Sequence, residues 1–187
     1  LPGSVRSLVL SRADSLSEQD HRALEAAAVL GQRTELATIR RMVEDDSYEP
    51  EKLVATTLVR SDGVEVEFAH ALFRDAIYES TLKSHRRALH RVAADWYATR
   101  DLSLHAEHLA AADDDGAAEA YIKAAEAERT SLRYESALNL ANKASAVARE
   151  PMMLHRTSVL LGELLLHLGR THDALAAYRE ALDFSID

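Results

Sequence analysis

The sequence predicts a mainly α-helical protein that carries one small β-hairpin. Three observations predict it. Only 6 Gly and 3 Pro stand among 187 residues, so few positions break a helix. Apolar residues recur at three-and-four spacing along most of the chain, and a single short stretch from Val64 to Phe68 alternates instead. The balance of 47% hydrophobic and 28% charged residues is that of a globular chain and excludes a disordered tail. At about 150 residues per domain, the length allows one large domain or two small ones.

Other function classes fall to composition. Zero Cys excludes disulfides, cysteine-ligated zinc and thiol catalysis, and it fits a reducing compartment, so a cytoplasmic location is expected. No run of about 18 apolar residues exists, and the opening segment lacks the basic-then-apolar order of a signal peptide, so no membrane contact is expected. Net charge is −9, from 31 acidic against 22 basic residues, which opposes general affinity for a nucleic-acid backbone. Starting at Leu1 rather than Met, the chain reads as a piece of something longer.

In chain order, Val5, Leu8, Val9 and Leu10 give a short amphipathic helix that Ser15-Leu16-Ser17 interrupts. Ser17 with Asp20 approximates a capping box, and Leu24, Ala27, Ala28 and Leu30 form the apolar stripe of a helix ended by Gly31. Thr34 is expected to cap a helix carrying Leu36, Ile39, Met42 and Val43, and Pro50 to open a shorter one with Leu53, Val54, Thr57 and Leu58. Next comes the hairpin. Asp62-Gly63 is expected as the two central residues of a type I′ turn, placing Val64, Val66 and Phe68 on one face and Glu65 and Glu67 on the other. Helices followed by a hairpin describe a winged helix.

After His70 the pattern is helical to the end: Ala71 to Leu82 burying Leu72, Phe73, Ala76 and Ile77, and Ser84 to Thr99 burying Leu89, Val92, Ala93, Trp96 and Tyr97. Five more helices follow, starting at Leu102, Ala117, Tyr134, Pro151 and Thr171, with Asp113-Asp114-Asp115-Gly116, Pro151 and Gly169 as punctuation. Ala174, Tyr178 and Ala181, preceded by Leu161-Gly162 and Leu165, follow the small-large-small code of a tetratricopeptide repeat. Ala137, Ala141 and Ala144 repeat the spacing 37 residues upstream, near that repeat's period of about 34. Ala117, Tyr121 and Ala124 give a third, irregular copy. The expected organisation is therefore a winged-helix domain with a linking helix over residues 1–99 and a tetratricopeptide-like antiparallel array over residues 100–187, truncated at its C-terminus. An uncapped end should expose Leu182 and Phe184 and offers a surface for dimerisation.

Four blocks carry a resemblance: the opening Leu-Pro-Gly-Ser-Val-Arg with Ser-Arg-Ala-Asp-Ser-Leu after it, the run Leu24 to Gly31, the run Phe68 to Ser80, and Arg87-Ala88-Leu89-His90. In this order they resemble the region after the ATPase core of bacterial STAND-class signalling ATPases, which include large LuxR-type transcription regulators and ATPases coupled to adenylyl-cyclase domains. The resemblance implies a regulatory, non-enzymatic piece whose partners are its own upstream ATPase domain and an inducer or protein held by the repeats. No G-x-x-x-x-G-K-[ST] occurs, so ATP or ADP with magnesium belongs to the parent protein and no cofactor to this chain. The resemblance also implies that His70, at the strand-to-helix junction, contacts the β-phosphate of ADP, although Ala71 follows it where the family motif has Asp. A histidine that caps the helix or packs on Tyr78 is the alternative.

Other candidates are weaker. Lys83, Arg86, Arg87, His90 and Arg91 fall on one helical arc, a solvated face, a contact with the ATPase domain or, least favoured, a contact with a DNA backbone. Arg33, Arg40 and Arg41 lie on or beside the helix in the recognition position of a winged helix, but Glu35, Glu44, Asp45, Asp46, Glu65 and Glu67 would face phosphates, so direct DNA binding is the disfavoured rival. His105 and His108 flank Glu107 one helical turn apart but lack the H-E-x-x-H order, and no Ser, His and Asp fall in a nucleophile elbow.

Overall fold

The computed structural model describes residues 3–184, which are mainly helical with a small antiparallel sheet of three strands. They form two compact units, Leu1–Trp96 and Tyr97–Asp187.

The first unit opens with α1 (Gly3–Asp14), which buries Val9 and Ala13 and leaves Leu8 exposed. Helix α2 (Glu18–Leu30) starts as its sequence requires: the Ser17 hydroxyl accepts from the Asp20 amide and donates to the Asp20 carboxylate, so one orphan amide is satisfied. Gly31, at φ 135°, ends the helix.

Strand β1 (Arg33–Glu35) then adds a third strand where the sequence suggested only a hairpin. Thr34 accordingly lies within this strand and caps nothing; the N-cap of α3 (Leu36–Val43) is Glu35, without a side-chain bond. Three residues are too short for periodicity to reveal, and β1 exists because β3 offers it a partner. Helix α4 (Glu51–Ala55) follows, so the helix next to the hairpin is α4 rather than α3.

Strands β2 (Val59–Ser61) and β3 (Glu65–Phe68) form the hairpin, and the sheet order is β1-β3-β2. Its turn differs from expectation. Ser61 pairs with Val66, which makes Gly63 and Val64 the central residues. Positive φ falls on Gly63 alone, at 86°, the pattern of a II′ rather than a I′ turn. The Asp62 carboxylate accepts from the Val64 and Glu65 amides and so shapes the loop itself. Val64 consequently leaves the apolar face and is 69% exposed, while Val66 and Phe68 enter the core with Leu24, Leu36, Leu58 and Val59.

Helix α5 (Ala71–Ser80) packs Ala76 and Ile77 into that core, but Leu72 is 48% exposed and not buried. Helix α6 (Lys83–Tyr97) sets Leu89 and Ala93 against Ala26, Val29 and Met42. Its buried side is rotated from the expected one: His90 is buried and Val92 exposed.

The second unit contains α7 (Leu102–Ala111), α8 (Ala117–Thr130), α9 (Tyr134–Val147), α10 (Pro151–His167) and α11 (Thr171–Asp183). Asp101 caps α7 through the Ser103 and Leu104 amides, and Pro151 occupies the first turn of α10. The core is rich in alanine, with Ala124, Ala137, Ala141, Ala144, Ala174 and Ala177 buried where consecutive helices meet. Gly162 marks the tightest approach: a Cβ built there would stand 2.6 Å from the Tyr178 ring. On α11, Leu182 is 66% exposed, whereas Phe184 is half-buried rather than free.

Candidate functional site

His70 occupies the junction between the central strand and α5 because two constraints meet there. Phe68 is locked into the sheet by its amide to the Gln32 carbonyl, and Ala69 donates to the Leu58 carbonyl. His70 is then extended, at φ −147° and ψ 142°, and serves as N-cap of α5 without a side-chain capping bond. Its ring is exposed and stands edge-on to Phe73, with centroids 5.0 Å apart. His70 thus holds the N-cap position, but its imidazole bonds no helix amide, and its ring partner is Phe73 rather than Tyr78.

The cleft in front of His70 has a volume of about 470 Å³ and is also lined by Arg12, Thr57, Arg60 and Phe73. A second cleft of about 650 Å³ shares Arg12 and Thr57 and adds Ser15, Ser17, Lys52 and Thr56. No carboxylate lines either one. Arg12 comes from α1, Thr57 from the end of α4, Arg60 from β2 and His70 from the start of α5. Sequence reasoning missed Arg12, Thr57 and Arg60, because their convergence is tertiary. Thr57 follows the C-cap of α4 and has φ 60°, where a helix usually places Gly.

The expected basic arc on α6 is partly internal. Arg86 donates to the Tyr78 carbonyl at 2.6 Å, and its guanidinium lies 4.8 Å from the Tyr78 ring centroid, with Arg74 at 5.1 Å. His90 Nε2 is hydrogen-bonded with the Tyr78 hydroxyl at 3.0 Å. Arg86 and His90 therefore brace α5 against α6, while Lys83 and Arg91 face outward.

The arginines around α3 are also engaged. Arg40 donates to the Tyr48 carbonyl and pairs with Glu49, and Arg33 pairs across the sheet with Glu65, whose hydrogen bonds raise the guanidinium pKa further. Only Arg41 is left exposed without a described partner. In the second unit, His108 is buried, stacks parallel to Tyr97 at 5.5 Å and has its pKa lowered by burial, whereas Glu107 turns to Lys143 at 2.6 Å. His105, Glu107 and His108 therefore do not converge, and no three such groups among the described residues have metal-holding geometry.

No protein-family model matches the chain, and comparisons with curated proteins and with solved structures return no match. No described helix is long and apolar enough to cross a membrane.

Proposed function

We propose that this chain is a non-catalytic regulatory module: a winged helix that clamps a neighbouring ATPase domain through a nucleotide phosphate, followed by tetratricopeptide-like repeats that receive an inducer or protein. The parent is a cytoplasmic STAND-class signalling ATPase. The observation that carries the reading is the exposed, uncapped imidazole of His70 at a helix N-terminus, where backbone amides and the helix dipole favour an anion. The run α2, β1, α3, α4, β2, β3 with strand order β1-β3-β2 supports the winged helix, since three helices precede a hairpin whose second strand is central. Tyr178 against Gly162, between the buried Ala174 and Ala181, supports the repeat code.

The rival reading, direct DNA binding, finds less support. Its reading helix would be α4, a single turn carrying Glu51 and Lys52, and Arg40 is already committed to Glu49. A salt-dependent mobility-shift assay tests it, and no retardation is expected.

The clamp is tested in the parent protein. Losing a charge-assisted hydrogen bond, about 1.5 to 3 kcal/mol, shifts the closed-to-open equilibrium by roughly one to two orders of magnitude. His70→Ala should therefore signal without inducer and release ADP more readily. A variant that keeps parental ADP affinity and inducer dependence returns His70 to a helix-opening role.

A further inference from the structure

The cleft in front of His70 holds a charge that the fold leaves unbalanced. Arg12 is half-buried, and its Nη1 donates to the Thr56 carbonyl at 3.1 Å and to the Thr57 hydroxyl. Both acceptors are neutral. Arg6, Arg40 and Arg74, also half-buried in this unit, each meet a carboxylate, Glu79, Glu49 and Asp75, whereas Arg86 meets the Tyr78 carbonyl and ring. At the mouth of an open cleft, a half-buried guanidinium that meets only neutral acceptors leaves a positive charge that an anion can balance.

Thr57 shows how this arginine is aimed. It sits at φ 60°, the only β-branched residue among the positive-φ residues of the described chain, where such a side chain is an outlier. Glycine would hold this backbone without strain but would leave Arg12 without the hydroxyl that orients it. Strained residues concentrate where a ligand is held.

Around Arg12, the two clefts are lined by Lys52, Arg60 and His70 and by no acidic side chain, in a chain with net charge −9. Lys52 is partly balanced by Asp20, 4.0 Å away, whereas Arg60 has no described side-chain partner. One carboxylate would neutralise one of these charges; a diphosphate meets several at once and suits the planar guanidinium fork.

We infer that Arg12, positioned by Thr57, is the main anchor of a diphosphate-binding site belonging to this chain itself, with Arg60 and Lys52 as flanking charges. The inference rests on reading the His70 cleft as a ligand site and names the ligand's chemistry, a diphosphate free or in a nucleotide. Thr57 is a positioning residue and does not carry the charge.

Calorimetric titration of the 187-residue chain with pyrophosphate, ADP and adenosine at low ionic strength tests it. Pyrophosphate is expected to bind, and Arg12→Gln to weaken it by about tenfold or more, with Arg12→Lys recovering only part because the fork is lost. Thr57→Gly should weaken binding by about threefold while the thermal midpoint holds or rises, since it removes the strain together with the hydroxyl. A preference for ADP over pyrophosphate assigns the ligand to a nucleotide, equality assigns it to a free diphosphate, and both uphold the site. Four results overturn it: no pyrophosphate binding, binding unaffected by Arg12→Gln, an equal loss from the remote Arg41→Gln, or binding of adenosine alone. The clamp reading fails separately, in the parent protein, so the two failures cannot be confused.

Discussion

The two units reach stability by opposite means. The first closes a mixed core of large side chains brought together over long sequence distances, with Phe68, Leu24, Leu36 and Leu58 all fully buried and β1 paired to a strand more than thirty residues away, Arg33 opposite Glu67. The second stacks helices on their sequence neighbours and fills the seams with alanine. Packing large residues around three strands and irregular turns leaves frustration behind. Thr34 Oγ1 and Gln32 Oε1 are buried without a bonded partner among the described residues, Thr57 is strained, and Arg12 lacks a counter-charge. Among the described residues, the helical unit has no buried, unbonded side-chain atom of this kind. The comparison teaches where to look for small-molecule chemistry: in the irregular unit, where close packing and polar satisfaction conflict, rather than in the repetitive one.

The largest effect should follow from emptying the long-range core. Phe68→Ala removes the largest fully buried side chain of the sheet, whose backbone also holds Gln32, and should cost about 3 to 5 kcal/mol. Denaturant unfolding measures the loss, and amide exchange should place it in β1, β2 and β3. A loss below about 1 kcal/mol would show that the sheet is not the keystone of its unit.

The helical unit should break in the opposite sense, by filling rather than emptying. Gly162→Ala gains about 1 kcal/mol of helix propensity, but its methyl collides with the Tyr178 ring, so overpacking of about 1 to 3 kcal/mol should prevail. Adding Tyr178→Leu removes the collision, and the double variant should regain what the single one lost. Thermal midpoints of the three proteins decide. If Gly162→Ala is neutral or stabilising on its own, α10 and α11 are not in close approach, and the small-large-small reading of Ala174, Tyr178 and Ala181 falls.

Legibility divides along the same line. The starts of α7, α8, α9, α10 and α11 stand where Leu102, Ala117, Tyr134, Pro151 and Thr171 placed them, because local periodicity, caps and breakers decide consecutive helices. In the first unit, the Ser17 cap and the hairpin were legible for the same local reason. The misses are tertiary. Strand β1 needs β3, and Val64 loses its face to a turn displaced by the Asp62 side chain. His90 is buried because Tyr78, on another helix, offers it a bond. Of the site, only His70 was readable, through resemblance and its place after the strand. Arg12 and Thr57 meet across 45 positions, and no spacing rule connects them.

The smallest effect is the most specific to the helical unit, and it concerns the one buried histidine there with a perturbed titration. Burial lowers the pKa of His108 below the ordinary 6.5, with Glu107 opposing weakly. The unfolded chain therefore takes up this proton first as pH falls, and stability is lost on acidification from the unfolded value toward the lower folded one. The reverse sign would require a folded pKa above 6.5, whereas burial outweighs the pull of Glu107, which faces Lys143, and His108 lies flat against Tyr97. Wild type and His108→Gln should thus differ in pH dependence between about pH 7 and pH 5, with wild type losing more stability and the variant following a flatter curve. Comparing the two proteins cancels the other histidines, including His21 and His85 beside Glu25 in the first unit. Amide exchange along α7 localises the difference. Parallel curves would mean that His108 takes its proton without leaving the stack, and the helical unit would then tolerate a buried charge beside its alanine-filled seams.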